Sequence, residues 1–284
     1  MNASPDELIA LIHQRSKRIR PLPVGQEEAG SLPRKPTTVL FDIYGTLLVR
    51  LPEAGSRSRG ERRHADDLIG GSRLPATHEE LEDLVSGAIA RQNAARRAQG
   101  VAYPEVVIER VWGQLFPGLT PAERRRAIVE QELAVHPAWL MPGCRKLLRS
   151  LSRRGIALGI VSNAQFFSPL FLRALAGKDL EDLGFSSSLC VYSFELGVAK
   201  PDQALFIDAA ERLRRLGLRA RDALMVGNDY GNDVSPAARA GLMTVYAALD
   251  RRSAVPTARD GNRPRPDAVI RRLQTLEGLV EDAR

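Results

Sequence analysis

The chain has 284 residues, 44% hydrophobic and 26% charged, the composition of a folded globular protein and not of a disordered or collagen-like chain. Its 41 basic and 34 acidic residues leave a net charge of +7, but the excess is arginine scattered over many segments with only 5% aromatic residues, so no nucleic-acid partner is expected. No apolar run approaches the roughly 18 residues of a membrane span, no secretory signal is read at residues 1–10, and two distant cysteines, Cys144 and Cys190, suit a reducing cytoplasm as small buried residues.

Residues 1–36 read as an N-terminal extension. Leu8, Ile9, Leu11 and Ile12 suit a short amphipathic turn or two, and the basic run 15–20 with Pro21, Pro23, Pro33 and Pro36 reads as a mobile linker. At 37–41 the run TTVLF is short, β-branched and apolar, a buried strand, and it ends in the polar turn Asp42-Ile43-Tyr44-Gly45-Thr46. Residues 50–75 are rich in arginine and glycine and predict a flexible, solvated loop, whose Arg50, Arg57, Arg59, Arg62 and Arg63 would clamp an anion only if it folded inward. Three helices are expected next. Thr77 and Glu80 make a capping box for a helix towards Ala98, Pro104 precedes an apolar-periodic helix through Val107, Val111 and Leu115, and Thr120, Pro121 and Glu123 open a third ending near His136.

From Gly143 the pattern alternates: helix 143–154, strand 156–161, helix 170–176, strand 189–194, helix 202–216, strand 223–226, helix 234–240 and strand 243–247. The stretch 250–266 reads as a mobile Arg- and Pro-rich tail, 267–270 as a last edge strand and 273–280 as a closing helix. Apolar strands alternating with helices predict an α/β fold, a Rossmann-like parallel sheet flanked by helices with a small all-helical cap domain. Trp112 and Trp139 are expected in the core of the cap and its hinge, and His64, His78 and His136 lack zinc-binding spacing.

Four polar clusters follow predicted strands or loops: 42–46, Ser162-Asn163, Lys200-Pro201 and 228–233. Each alone is an ordinary turn or cap. Together they face one edge of one parallel sheet, where sites form in such folds. Their text, VLFDIYGTL, GIVSN, AKPD and MVGNDYGNDVSPAARAGL, resembles the haloacid dehalogenase (HAD) superfamily of hydrolases over about residues 37–279. The resemblance implies a HAD-like core at 37–49 and 141–284, and a helical cap inserted at 50–140 that closes over the site and selects the substrate.

The residues carry a coherent chemistry. A phosphate ester or alkyl halide needs a nucleophile that forms and releases a covalent intermediate, and Asp42 is the candidate. Lys200 is its natural partner, a compact cation that keeps the carboxylate ionised. Thr46, Ser162 and Asn163 are candidate substrate-binding donors. Phosphoryl transfer recruits Mg²⁺, which takes oxygen ligands, here Asp42, the Tyr44 backbone carbonyl, Asn228, Asp229 and Asp233. Two positions depart from the family's phosphatases. Tyr44 stands where they carry a second aspartate, the acid/base, and Asn228 stands where their fourth motif has aspartate. Tyr44 is similar to the 2-haloacid dehalogenase branch, which works without metal, whereas the paired acids of the fourth motif suit magnesium. The leading expectation is a Mg²⁺-dependent hydrolase of a small phosphorylated, anionic metabolite. The alternatives are a metal-free 2-haloacid dehalogenase-like hydrolase and a catalytically weak HAD-fold binding module. Oligomeric state is not read from the sequence.

Overall fold

A computed structural model describes residues 4–51, 77–255 and 265–283. Most of the expected solvated loop, with Arg57, Arg59, Arg62, Arg63 and His64, lies outside the described residues. The chain opens with α1 (Pro5–Arg15) and a two-residue strand, β1 (Ala29–Gly30), followed by β2 (Thr38–Phe41) and β3 (Leu48–Arg50). Helices α2 (His78–Ala98), α3 (Ile108–Leu115) and α4 (Pro121–Val135) come next, and β4 (Ala138–Leu140) returns antiparallel to β3. Then follow α5 (Cys144–Arg153), β5 (Ala157–Ser162), α6 (Phe167–Ala176), β6 (Phe185–Tyr192), the short α7 (Ser193–Leu196), α8 (Gln203–Arg215), β7 (Ala223–Gly227), α9 (Ser235–Arg239), β8 (Met243–Ala247), β9 (Ala268–Ile270) and α10 (Thr275–Asp282).

The main sheet has the order β1-β9-β8-β7-β2-β5-β6, parallel except for β1 against β9. β2 is central, with Phe41 registered to Ile160 of β5 and to Val226 of β7. All four of its residues are buried because both faces are covered: Val39 and Phe41 pack into one core cluster, Leu40 into the other with Val161, Leu205, Phe206 and Met225. The chain leaves β2 for β5 on one side and later returns to β7 on the other. The carboxyl end of β2 is therefore a topological switch point, where parallel sheets open a crevice.

The helical block is built on local signals. Thr77 and Glu80 cap α2 reciprocally, Thr120 and Glu123 do so for α4 with Pro121 in its first turn, and Leu81, Val111, Trp112, Ala127 and Ile128 are buried between the helices. α3 begins at Ile108, later than the spacing after Pro104 suggests, because Pro104 is drawn into a bridge with Val198 of the core. Among the described residues no helix is long and apolar enough to cross a membrane. Cys144 and Cys190 are both unpaired and buried, and burial pushes their thiols up, to about 12 and about 11.

Three expectations are corrected. The N-terminal extension is docked over its described part, not mobile. Ser4 and Glu7 form a capping box, and Leu8, Leu11 and Ile12 are buried where α1 packs on α6 and α4. Apolar side chains at this helical spacing gain too much from leaving water to remain an appendage. The strand at 267–270 is not an edge, because β1 pairs outside it, held by Glu28, which accepts hydrogen bonds from Arg271 N–H (2.9 Å) and Thr275 Oγ1 (2.8 Å). Finally, residues 250–255 are not tail. Asp250 is fully buried, accepts a hydrogen bond from Leu22 N–H (3.1 Å) and pairs with Arg252 (2.7 Å).

The docking of α1 has a measurable consequence. Ile12→Ala is expected to lower unfolding stability by about 2–5 kcal/mol, the cost of truncating a fully buried aliphatic side chain. A urea midpoint unchanged from wild type would show that α1 is detached in solution.

Candidate active site

Asp42 follows β2 directly, and its N–H donates to the Val226 carbonyl of β7 (3.0 Å), which fixes its backbone against the neighbouring strand. Its Oδ1 accepts from Ser162 Oγ at the end of β5 (2.9 Å) and from Lys200 Nζ (2.7 Å), residues 120 and 158 positions away. The same ammonium donates to Asp233 Oδ1 (2.6 Å) and to the Val161 carbonyl (3.1 Å). All three of its protons are thus engaged. Burial by itself would depress the Lys200 pKa, but Asp233 and Asp42 outweigh it, and the value ends above that of an ordinary lysine. One ammonium serves two carboxylates, so burial raises the more enclosed of them, Asp233. The structure therefore brings Asp42, Ser162, Lys200 and Asp233 into one hydrogen-bonded cluster. Among the described residues, no group donates to Asp42 Oδ2.

The remaining expected site residues are placed otherwise. Asn163 holds the Lys200 backbone, accepting its N–H at Oδ1 (2.7 Å) and donating Nδ2 to its carbonyl (3.2 Å), so it aims the lysine. Thr46 is fully buried and donates to Asn228 Oδ1 (3.3 Å). Asn228 donates Nδ2 to the Ser253 carbonyl (2.6 Å), which turns its oxygen toward the Asp42 loop. Gly45 between them has φ +82°, and a Cβ there would lie 2.8 Å from Asn228 Oδ1, so this turn admits only glycine without displacement.

Asp229 folds back on its own turn. Its Oδ1 accepts the N–H groups of Gly231 (2.8 Å) and Asn232 (3.0 Å), and its Oδ2 accepts Asn232 Nδ2 (2.8 Å). Asp233 Oδ2 accepts Asp229 N–H (3.0 Å). The Tyr44 hydroxyl donates to Ser168 Oγ (3.2 Å), and the Arg50 guanidinium carbon lies 4.8 Å from its ring centroid while Arg50 pairs with Glu132 of α4 (2.6 Å). Burial, followed by the nearby Glu132 charge, pushes the phenol well above its usual range.

For a divalent cation the donors are hard oxygens: the Asp42 carboxylate, the Tyr44 carbonyl and the Asn228 amide oxygen. Such a set fits magnesium, which binds through one or two carboxylates and keeps several waters. Asp229 and Asp233 turn their carboxylate oxygens to the turn and to Lys200 as hydrogen-bond acceptors. Accordingly, among the described residues no three His, Cys, Asp or Glu side chains form a metal-holding group.

Sequence reasoning missed the residues behind the cluster, Ser168, Ser193, Glu105 and Gln165. Nothing in the local text marks them, because the bonds that tie them to the cluster and the cap span 29 to 124 positions.

A parallel α/β core with a helical insertion places a carboxylate–lysine–serine cluster at its switch point, where sites form in sheets of this class. The family model for haloacid dehalogenase-like hydrolases matches residues 36–241, and the chain belongs to that family. It is 28% identical over 234 residues, covering 82% of this chain and 87% of the relative, to the phosphoglycolate phosphatase of Xylella fastidiosa (strain Temecula1 / ATCC 700964). It is 25% identical over 209 residues, 73% of this chain and 83% of the relative, to the glyceraldehyde 3-phosphate phosphatase of Methanothermobacter thermautotrophicus. Among solved structures, a 2-haloacid dehalogenase from Pseudomonas syringae pv. Tomato DC3000 superposes with a TM-score of 0.53 at 21% identity, over 86% of this chain and 97% of that one, which establishes the shared fold.

Proposed function

We propose that the protein is a Mg²⁺-dependent phosphatase of a small phosphorylated metabolite, with Asp42 as its nucleophile. In this reading 37–49 and 141–284 form the catalytic core and 50–140 the cap. The unpaired cysteines support a cytoplasmic setting. The observation that carries the reading is the convergence of Ser162 and Lys200 on one oxygen of Asp42. That arrangement fixes the rotation of the carboxylate and leaves Oδ2 to attack. The phosphatase names of curated relatives support the reaction, and each names a small phosphorylated substrate.

Oδ2 attacks phosphorus and forms an Asp42 acyl phosphate while the bond from phosphorus to the leaving oxygen breaks, so the leaving group departs as its anion and takes its proton from solvent. Water then attacks phosphorus, releasing inorganic phosphate and the free carboxylate. Lys200 has no proton left to donate, so it acts through its charge, offsetting negative charge that accumulates beside Asp42. Asp42, the Tyr44 carbonyl and Asn228 would hold the magnesium, which when bound supplies positive charge to the phosphoryl oxygens. Tyr44, engaged with Ser168 and raised by burial, provides neither an acid for the leaving group nor a base for the water. Turnover therefore favours leaving groups stable as anions, and an aryl phosphate is the probe of choice.

Wild-type protein is expected to release p-nitrophenol from p-nitrophenyl phosphate only with Mg²⁺, and Asp42→Asn to lose at least about 10³-fold in kcat, as removal of a nucleophile does. Release no faster than that of Asp42→Asn overturns the reading. Chloride release from 2-chloropropionate, run without metal, is expected to be absent.

A further inference from the structure

The segment between α2 and α3 is laid across two loops of the core. Tyr103 O accepts Ala199 N–H (2.8 Å), and Glu105 N–H donates to the Gly197 carbonyl (3.0 Å). Arg96 of α2 donates to the Glu105 carbonyl (2.9 Å) and to that of Gly197. Ala199 directly precedes Lys200, so this strap touches the loop that delivers the ammonium. The Glu105 side chain reaches the other loop. Its Oε2 accepts from Ser193 Oγ (2.7 Å), and its Oε1 accepts from Gln165 Nε2 (3.2 Å) and Val106 N–H (3.0 Å).

Ser193 is fully buried at the start of α7, and its Oγ accepts Ala164 N–H (2.9 Å). Gln165 also donates to the Val106 carbonyl (2.8 Å) and accepts Ile108 N–H (2.9 Å) at the first turn of α3. Ala164 and Gln165 follow Ser162 and Asn163 in the chain, and Asn163 clamps the Lys200 backbone from both sides.

We propose that Glu105 is a positioning residue: through Ser193 and Gln165 it holds the 162–165 loop, and with it Ser162, Asn163 and Lys200, in register with Asp42 while the α2–α3 segment is docked. The chemistry explains why a carboxylate stands there. A serine hydroxyl has one proton, and Ser193 has two acceptors in reach, Glu105 Oε2 and the Ala164 carbonyl (3.2 Å). A carboxylate accepts only, so it captures that proton and leaves the oxygen lone pairs for Ala164 N–H. Without it the hydroxyl turns to the Ala164 carbonyl and the loop loses its tie to the helical block. Burial pushes the Glu105 carboxyl up, so the charge is held there at a cost to stability.

The inference rests on the phosphatase reading for its kinetic consequence, and its structural consequence is read separately. Glu105→Ala is expected to lower kcat for p-nitrophenyl phosphate at least tenfold with KM within twofold. Glu105→Gln keeps one acceptor for Ser193 but turns an amide NH2 toward two donors, Gln165 Nε2 and Val106 N–H, so it should recover only part of that loss. Ser193→Ala should match Glu105→Ala, and the double variant should be no worse than either single one, as expected for two members of one network. Multiplying losses, or an unchanged kcat, overturns the proposal.

Hydrogen exchange supplies the readout that needs no turnover. In Glu105→Ala the amides at 163–165 and 199–200 should exchange at least tenfold faster than in wild type while those of β8 do not change. Equal exchange at 163–165 refutes the role of Glu105 even if no phosphatase activity is found. If Glu105→Ala fails to fold, Ser193→Ala makes the same test from the core side.

Discussion

Lys200→Met is expected to abolish turnover and to destabilise the protein by about 3–5 kcal/mol, the range for removing one partner from a buried ion pair. The two effects share one cause. The Lys200 side chain is 3% exposed, and its ammonium is the common partner of Asp42 Oδ1 and Asp233 Oδ1. Methionine matches the volume but leaves two carboxylates facing each other without a cation, in a place where water cannot replace it. Urea unfolding and steady-state kinetics separate the consequences. Adding Asp233→Asn removes one of the facing charges and should return most of the lost stability while restoring no activity, because Asp42 still lacks its cation. A Lys200→Met protein as stable as wild type would mean that this triad is open to solvent, and one that retains turnover would place Lys200 outside the reaction.

Gly227→Ala should have the second largest effect. Gly227 ends β7, and its missing side chain is what lets Asp233 come close: a Cβ there would overlap Asp233 Cβ, Cγ and Oδ2. The backbone of Gly227 is not in the left-handed region, so the penalty is steric crowding, about 1–3 kcal/mol. The functional penalty is larger. Moving Asp233 breaks its bonds to Lys200 and to Asp229 N–H together, and kcat is expected to fall about 10²-fold through misplacement of the lysine. The double variant Gly227→Ala/Asp233→Gly, which removes all three overlapping atoms, should relieve the crowding without regaining activity. A Gly227→Ala enzyme with wild-type kinetics would show that Asp233 has no part in holding Lys200.

Parts of the molecule could be read without coordinates because short-range physics settles them. The capping boxes at Thr77 and Thr120 involve partners three residues apart, and each starts its helix as the text implies. The continuous apolar runs at 38–41, 157–161 and 223–226 form strands covered on both faces, as a parallel sheet between helices requires. The order of the polar clusters along the chain pointed to Asp42, Ser162, Lys200 and Asp233 as one group, because every parallel strand delivers its carboxyl end to the same edge.

What each polar atom does with its hydrogen bonds was beyond the sequence. Asn163 and Thr46 carry donors and were expected at a substrate, yet one holds the Lys200 backbone and the other Asn228. Asp229 carries the charge of a ligand and spends it on its own turn. Local pattern likewise gave no sign that Leu8 and Ile12 pack against a helix about 160 positions later, or that Glu105 answers Ser193. A residue type limits the bonds a side chain can make. Which partner takes them depends on distances that exist only after residues remote in the chain have been packed together, and the free energy of that packing belongs to the whole core rather than to any segment of text.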